Sequence, residues 1–266
     1  MSFSFDQLIQ ASDVSAYIDA NPSERDRVIT SFREMHCRIR PSIARVMSWL
    51  LDRLLPFVYD ELDFSCADEL DIKEFSKTHR IVFVANHQSH ADYVVFNYLL
   101  FKKFGIIPYT AGGVNLNFFP LGHLFRSLGC LFIRRRFAKD EGYKLALRAY
   151  LKQIVKTGEH PLEFYYEGGR SRNGMLLTPK FGLFQMILSI QRELMQHPDA
   201  REQGKPLAFI PAAIVHDRLP EQTSLARETE GTKSKTPEGV MQLLRIPKVL
   251  TKRLGKVHVR LGKPIL

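Results

Sequence analysis

The sequence predicts an α/β fold with a mixed central sheet flanked by helices, preceded by a helical N-terminal segment. Two observations carry that expectation. Short branched apolar runs of strand length recur at residues 81–85, 162–166, 207–215 and 257–261. Between the earlier runs lie stretches with apolar residues at helical spacing, as at 92–100, 140–156 and 182–193. The chain has 266 residues, 45% of them hydrophobic, which suffices for one α/β domain plus a smaller helical appendage. The expected division is a helical segment over 1–60 and an α/β domain over 61–266.

Taken in order, residues 1–40 read as short helices, with Asp13 or Ser15 available to cap one, Ser23 another, and Pro22 and Pro41 as punctuation. Residues 41–59 differ. Ile43, Val46, Met47, Leu50, Leu51, Leu54 and Leu55 recur at helical spacing, with Arg45, Asp52 and Arg53 between them, so this is an amphipathic helix. Trp49, the only tryptophan, with Phe57 and Tyr59 near the end, would let it lie in a bilayer interface, whereas the blander alternative packs it on its own domain. Residues 64–75 have mixed polarity and lead into the first strand. Farther on, Pro120 and Gly122 make a turn, 121–128 a short helix, and 130–133 a strand that ends in Arg134, Arg135 and Arg136. Residues 207–215 read as a strand interrupted by Pro211, 222–238 as a polar surface loop, and 240–254 as a basic, apolar helical stretch broken by Pro247.

The chemistry centres on residues 81–98, IVFVANHQSHADYVVFNY. The strand ends just before Asn86 and His87, and Asp92 heads the following helix, with His90 as a helix-start residue. Side chains at the carboxyl end of a strand in an open α/β sheet face a crevice where such folds place ligands. The five-residue separation spans the turn, so Asp92 can fold back to one imidazole nitrogen of His87 and leave the other for substrate, the arrangement of a base with an orienting group. The blander alternative is a hydrogen-bonded structural histidine with Ser89 or Asp92 capping the helix.

After the 162–166 strand comes Glu167-Gly168-Gly169-Arg170-Ser171-Arg172. Two glycines let a backbone approach a ligand and expose amides to an anion, and two arginines flank them. Glu167, at the strand end, is placed to accept hydrogen bonds from a polyol, although such a stretch is also an ordinary turn. An arginine of the 134–136 run can likewise grip a phosphate, or remain solvated surface charge.

Composition bounds the partners. Lys plus Arg number 38 against 28 acidic residues, a net charge of +10, which favours a membrane surface, nucleic acid or phosphorylated substrates. Nucleic acid is disfavoured because the aromatics do not interleave with Lys and Arg on a recognisable module. Cys37, Cys66 and Cys130 are odd in number and lack CxxC spacing, so a disulfide framework or zinc site is not expected and a reducing compartment is. The first 13 residues lack the pattern of a secretory signal, and no apolar run reaches the ~18 residues of a membrane span. The expectation is a chain that starts in the cytosol and meets membrane peripherally, on its cytoplasmic face. There is no GxxxxGK[ST], GxGxxG or GxSxG, so common nucleotide sites and an acyl-serine elbow are disfavoured. The remaining set suits activation of a hydroxyl on a phosphorylated polyol.

Four blocks, NHQSHAD, GVNLNFFPLGHLFRSLGCLFIRR, FYYEGGRSRNG and FIPAAI, resemble in that order the motifs of the glycerolipid acyltransferases. The resemblance is to the branch with bacterial membrane glycerol-3-phosphate acyltransferase and dihydroxyacetone-phosphate acyltransferase. It extends to LLTPKFG after the third block and to the closing GKVHVRLGKPIL. It implies that His87 is the general base and Asp92 its partner, that Arg135 closes the second block, that Glu167, Gly168, Arg170 and Ser171 bind the acceptor, and that Pro211 lies in a block associated with the acyl donor. It further implies acyl-CoA or acyl-carrier protein as co-substrate, no metal or other cofactor, glycerol 3-phosphate acylated at sn-1 as the foremost acceptor, and an anionic membrane surface as partner. Dihydroxyacetone phosphate, a lysophosphatidate, or a non-catalytic lipid- or partner-binding relative are the alternatives. The sequence departs from the branch where His216 and Asp217 stand in place of a tyrosine and an acid, which leaves donor and acceptor preference open. It also does not include the long extensions of the larger enzymes, so it reads as a compact relative or a fragment.

Overall fold

The structure is a computed structural model, and it describes residues 5–134, 136–137, 139–171, 174–199, 204–220 and 252–266. Helices α1 (Phe5–Ile9), α2 (Ser12–Ala20), α3 (Arg25–Met35) and α4 (Pro41–Val58) lead into β1 (Glu61–Cys66), α5 (Ile72–Thr78), β2 (Arg80–Ala85) and α6 (Ala91–Phe104). Then follow β3 (Tyr109–Gly113), α7 (Leu121–Ser127), β4 (Cys130–Ile133), α8 (Glu141–Thr157), β5 (Leu162–Tyr165), α9 (Gly182–Met195), β6 (Leu207–His216) and β7 (Lys256–Leu261). Among the described residues the strands form one mixed sheet in the order β1-β7-β6-β2-β5-β3-β4. Every pairing is parallel except β6 with β7.

Central strands in such a sheet are covered on both faces and so read as continuous apolar runs. In β2, Val82 packs toward α8 and α9, while Ile81, Phe83 and Ala85 pack toward α4, α5 and α6. The same alternation splits β6, with Leu207 and Phe209 on the first face and Ile210, Ala212 and Ile214 on the second. Helix α8 is set by a true cap, the Asp140 carboxylate accepting from the Tyr143 N–H at 3.0 Å, and it buries Tyr143, Leu147, Tyr150, Leu151 and Ile154, the expected face. The N-terminal helices share that core: Val14, Val28, Phe32 and Met35 join the α8 cluster, and the Tyr150 hydroxyl accepts from the Cys37 N–H at 3.2 Å.

Several local expectations need correction. Helix α2 starts at Ser12, so Asp13 lies in its first turn and no side chain caps it. Ser23 falls inside a short 3-10 turn without a cap bond. Strand β6 runs unbroken through Pro211. Phe209 exchanges both main-chain bonds with Ile265, at 2.9 and 2.8 Å, so the Pro211 nitrogen faces the same C-terminal segment, where pairing slips by one residue between Leu261 and Ile265. The missing donor thus falls at a bulge. Strands β1 and β3 were not foreseen. Of the segments expected at 222–238 and 240–254, the first and residues 240–251 of the second lie outside the described residues, and 252–254 are not helical. Among the described residues no helix is long and apolar enough to cross a membrane.

Because α3 is part of the main core, Phe32→Ala should cost about 3–5 kcal/mol and lower the denaturant midpoint of one cooperative transition. A separate early transition for the N-terminal helices would show that they fold as an independent unit.

Candidate active site

The parallel strands deliver their carboxyl ends to one edge of the sheet, and the residues that follow β2, β4 and β5 meet there with the end of β6. Where β2 leaves the sheet, the Asn86 side chain takes over its pairing: Nδ2 donates to the Ile214 carbonyl at 2.9 Å, and the Ile214 N–H donates to Oδ1 at 2.7 Å. His87 follows, gripped through its backbone. Its N–H donates to Glu167 Oε1 at 3.0 Å, and its carbonyl accepts from the Ser171 N–H at 2.8 Å.

The His87 ring meets Asp92 through Nδ1, 2.8 Å from Oδ2. That oxygen also accepts from the main-chain N–H groups of Gln88 (2.7 Å) and Ser89 (2.9 Å). The other oxygen, Oδ1, meets Nε2 of His216 at 2.7 Å. Asp92 is fully buried in the first turn of α6. Burial opposes its charge, but hydrogen bonds from His216 and His87 outweigh burial and hold its pKa down at about 2. The Tyr165 ring lies against His87 with centroids 4.4 Å apart.

His87 lines a cavity of about 510 Å³, within the usual range for ligand sites. At the strand ends it is bordered by Gly168, Gly169, Arg170, Lys180 and Arg134. From there it extends under α4, α6 and α7 toward Ile107 and Leu128, with Met47, Leu51, Val94, Phe101 and Leu124 in its walls. The β3 side, residues 107–113, spans roughly 20 Å at ~3.3 Å per residue. The site therefore joins a histidine–carboxylate pair and basic side chains to a long apolar compartment.

A family model described as Acyltransferase matches residues 69–214, more than half of the chain, and one described as Glycerol-3-phosphate acyltransferase C-terminal region matches residues 226–266. The chain belongs to the acyltransferase family. Its relatives include proteins named glycerol-3-phosphate acyltransferase. That of Actinobacillus pleuropneumoniae serotype 3 is 34% identical over 98% of this chain and 31% of the relative. That of Haemophilus influenzae (strain PittEE) is 32% identical over 98% and 32%, and that of Haemophilus ducreyi 33% identical over 98% and 32%. The chain thus spans about a third of the length of the curated relatives it matches.

Within this site the sequence-predicted residues divide. His87, Asp92, Gly168 and Arg170 meet at or beside the cavity. Gly168 has φ +60, and a Cβ there would lie 2.8 Å from Lys180 Cδ, so the turn requires glycine. Glu167 is corrected: rather than facing a polyol, it is buried, with Oε1 on the His87 N–H and Oε2 on the Leu177 N–H at 3.0 Å. Ser171 is likewise turned inward, its hydroxyl donating to the Met175 carbonyl. Pro211 lies outside the cavity, on the face of β6 opposite His216. Arg135 is outside the described residues; of its neighbours, Arg134 is held by Glu34 at 2.8 Å and Asp140 at 3.1 Å, and Arg136 is exposed.

Three residues escaped the sequence reading. From the sequence Asn86 reads only as the end of a strand, and Lys180 only as part of LLTPKFG. His216 was noted merely as a departure from pattern.

One further carboxylate sits below the site. Glu163 on β5 is fully buried, accepting from Thr110 Oγ1 and Asn97 Nδ2, both at 2.8 Å. Burial pushes its pKa from 4.5 up to about 7, against hydrogen bonding from Tyr165, Thr110 and Asn97. The folded protein therefore holds this proton where the unfolded chain has released it, so stability falls as pH rises from about 4.5 to about 7 and that loss is complete above. Glu163→Gln removes the titration, and should stabilise the protein relative to wild type by roughly 2–3 kcal/mol more at pH 8 than at pH 4. Equal denaturant midpoint differences at the two pH values would show that Glu163 titrates in the fold as it does in the unfolded chain.

Proposed function

We propose that the domain transfers a fatty acyl group from an acyl thioester, carried by CoA or by acyl-carrier protein, to the sn-1 hydroxyl of glycerol 3-phosphate. The observation that carries this reading is the His87–Asp92 pair at the mouth of a long apolar cavity. The names of the relatives support the choice of acceptor. In the proposed mechanism Asp92 accepts from Nδ1–H, so Nε2 of His87 is the base. It removes the hydroxyl proton as the acceptor oxygen attacks the thioester carbonyl. The new C–O bond forms, the tetrahedral adduct collapses with loss of the C–S bond, and the imidazolium returns its proton to the thiolate. No acyl-enzyme is needed. Arg170, with Arg135 as the resemblance implies, would hold the phosphate, and Lys180 adds positive charge on the same rim. The acyl chain would occupy the apolar compartment, and holding both substrates in place supplies much of the rate.

We also assign the outer face of α4 to the surface of an anionic membrane, on its cytoplasmic side. Val46, Trp49 and Phe57 are 66%, 54% and 65% exposed, while Ala44, Ser48 and Leu55 of the same helix are buried. Arg53 stacks over the Trp49 ring at 3.8 Å, and the net charge of +10 favours anionic headgroups.

Thiol release from an acyl-CoA or acyl-carrier protein, measured against glycerol 3-phosphate, dihydroxyacetone phosphate and a lysophosphatidate, tests the reaction. Glycerol 3-phosphate should give the highest kcat/KM, and failure to release thiol with any acceptor of this panel would point to a non-catalytic relative. His87→Ala should lower turnover by ~100-fold to 10,000-fold, and Asp92→Asn should lose much of the same. Near wild-type turnover by folded His87→Ala would refute the base assignment.

Arg170→Ala and Arg135→Ala should each raise the acceptor KM by about 10-fold to 100-fold, the equivalent of a lost charged hydrogen bond, and leave the donor KM nearly unchanged. On vesicles, the protein should co-sediment only with anionic lipid, less so at high salt, and Trp49 emission should shift to the blue. Binding without that shift would remove α4 from the contact.

A further inference from the structure

Among the buried ionisable side chains that the proposed reaction leaves without a task, His216 has the most specific surroundings. It is the last residue of β6, its side chain is 0% exposed, and it does not line the cavity. Its Nε2 lies 2.7 Å from Asp92 Oδ1, and its Nδ1 has no hydrogen-bond partner among the described residues. The imidazole hydrogen therefore belongs on Nε2, where it meets the carboxylate.

The two oxygens of Asp92 are unequally supplied. Oδ2 receives His87 and two main-chain N–H groups, whereas His216 is the partner found for Oδ1 among the described residues. Without it a charged oxygen would be buried unpaired, and turning the carboxylate to satisfy it would take Oδ2 from His87. The support for His216 is rigid, because Ile214, two residues earlier, is held through both its N–H and its carbonyl by the side chain of Asn86, the residue before His87. One short piece of β6 thus fixes the base through β2 and the orienting carboxylate through α6.

We propose that His216 is a positioning residue for the reaction, a second histidine that fixes the Asp92 carboxylate from the side opposite His87 and so sets the aim of the catalytic imidazole. This rests on the acyl-transfer reading for its kinetic consequence, though not for its geometry. A residue that acts only through Asp92 alters kcat and leaves the binding of both substrates alone. A merely structural histidine, when replaced, lowers stability and leaves the folded enzyme's kcat intact.

The test compares wild type with His216→Phe, which keeps an aromatic ring and loses the donor, with His216→Asn, whose amide is too short to reach Oδ1, and with His216→Gln, whose amide nitrogen can replace Nε2. Kinetics use thiol release with glycerol 3-phosphate. Independently, the His87 imidazole nitrogen shifts are read by long-range proton–nitrogen spectroscopy. The Phe and Asn variants should lose about 10-fold to 100-fold in kcat, the usual cost of losing a partner behind a site ligand. Both KM values should stay within about two-fold on that premise. The His87 shifts should move in the same two variants, and Gln should restore both readouts. Should Phe fail to fold, Asn carries the comparison. A folded Phe or Asn variant with wild-type kcat and unmoved His87 shifts would overturn the proposal, as would a Gln variant as impaired as Phe. If wild type transfers no acyl group, that reading fails by itself, and the His87 shifts still decide the role of His216.

Discussion

The site depends on keeping one carboxylate charged where water does not reach it. Removing an unpaired carboxylate from water costs several kcal/mol even after relaxation, yet Asp92 is fully buried and keeps a pKa near 2. Four donors make that possible: two imidazoles and two main-chain N–H groups, drawn from the end of β6 and from the β2–α6 turn. The first turn of a helix adds a favourable dipole. Each of these elements is constrained by having to reach Asp92, which is why the local geometry after β2 is so tightly bonded.

The sheet makes the convergence possible. His87, Glu167 and His216 are far apart in sequence, but β2, β5 and β6 are adjacent and parallel, so their carboxyl ends coincide. Glu167 and Ser171 then fasten the β5 loop to the backbone of His87 and to the segment after it. Among the described residues of that loop, Gly168, Gly169, Arg170 and Lys180 line the cavity. The acid and the serine of the glycine–arginine turn are thus spent on holding it in shape.

What the sequence disclosed follows the range of the interactions involved. The β2 strand, the α6 helix and the His87–Asp92 contact are local, set by hydrophobic period and a five-residue turn, and all were readable. Strand β1 was not, because as an edge strand it is polar and only half-buried. Strand β3 hid behind Gly112 and Gly113; at Gly112 a Cβ would lie 2.7 Å from Cys130 Sγ on β4, so close strand packing took the place of the usual branched side chain. His216 was opaque for another reason, since its partner lies 124 residues away. The inward turn of Glu167 was equally hidden, because main-chain donors leave no mark on the identity of residues.

The same physics that charges Asp92 leaves Glu163 holding a proton. Both are buried acids near His87, one bonded to its ring and the other two residues before Tyr165, whose ring lies against that histidine. Asp92 is met by two imidazoles and by main-chain N–H groups at a helix start, whereas the neutral side chains of Thr110 and Asn97 meet Glu163. The charge on Asp92 also acts on Glu163 in the same direction as burial. Ionising the first acid therefore helps keep the second neutral, so negative charge settles on the carboxylate that is bonded to the His87 ring and to main-chain N–H groups rather than on the one that meets only neutral side chains.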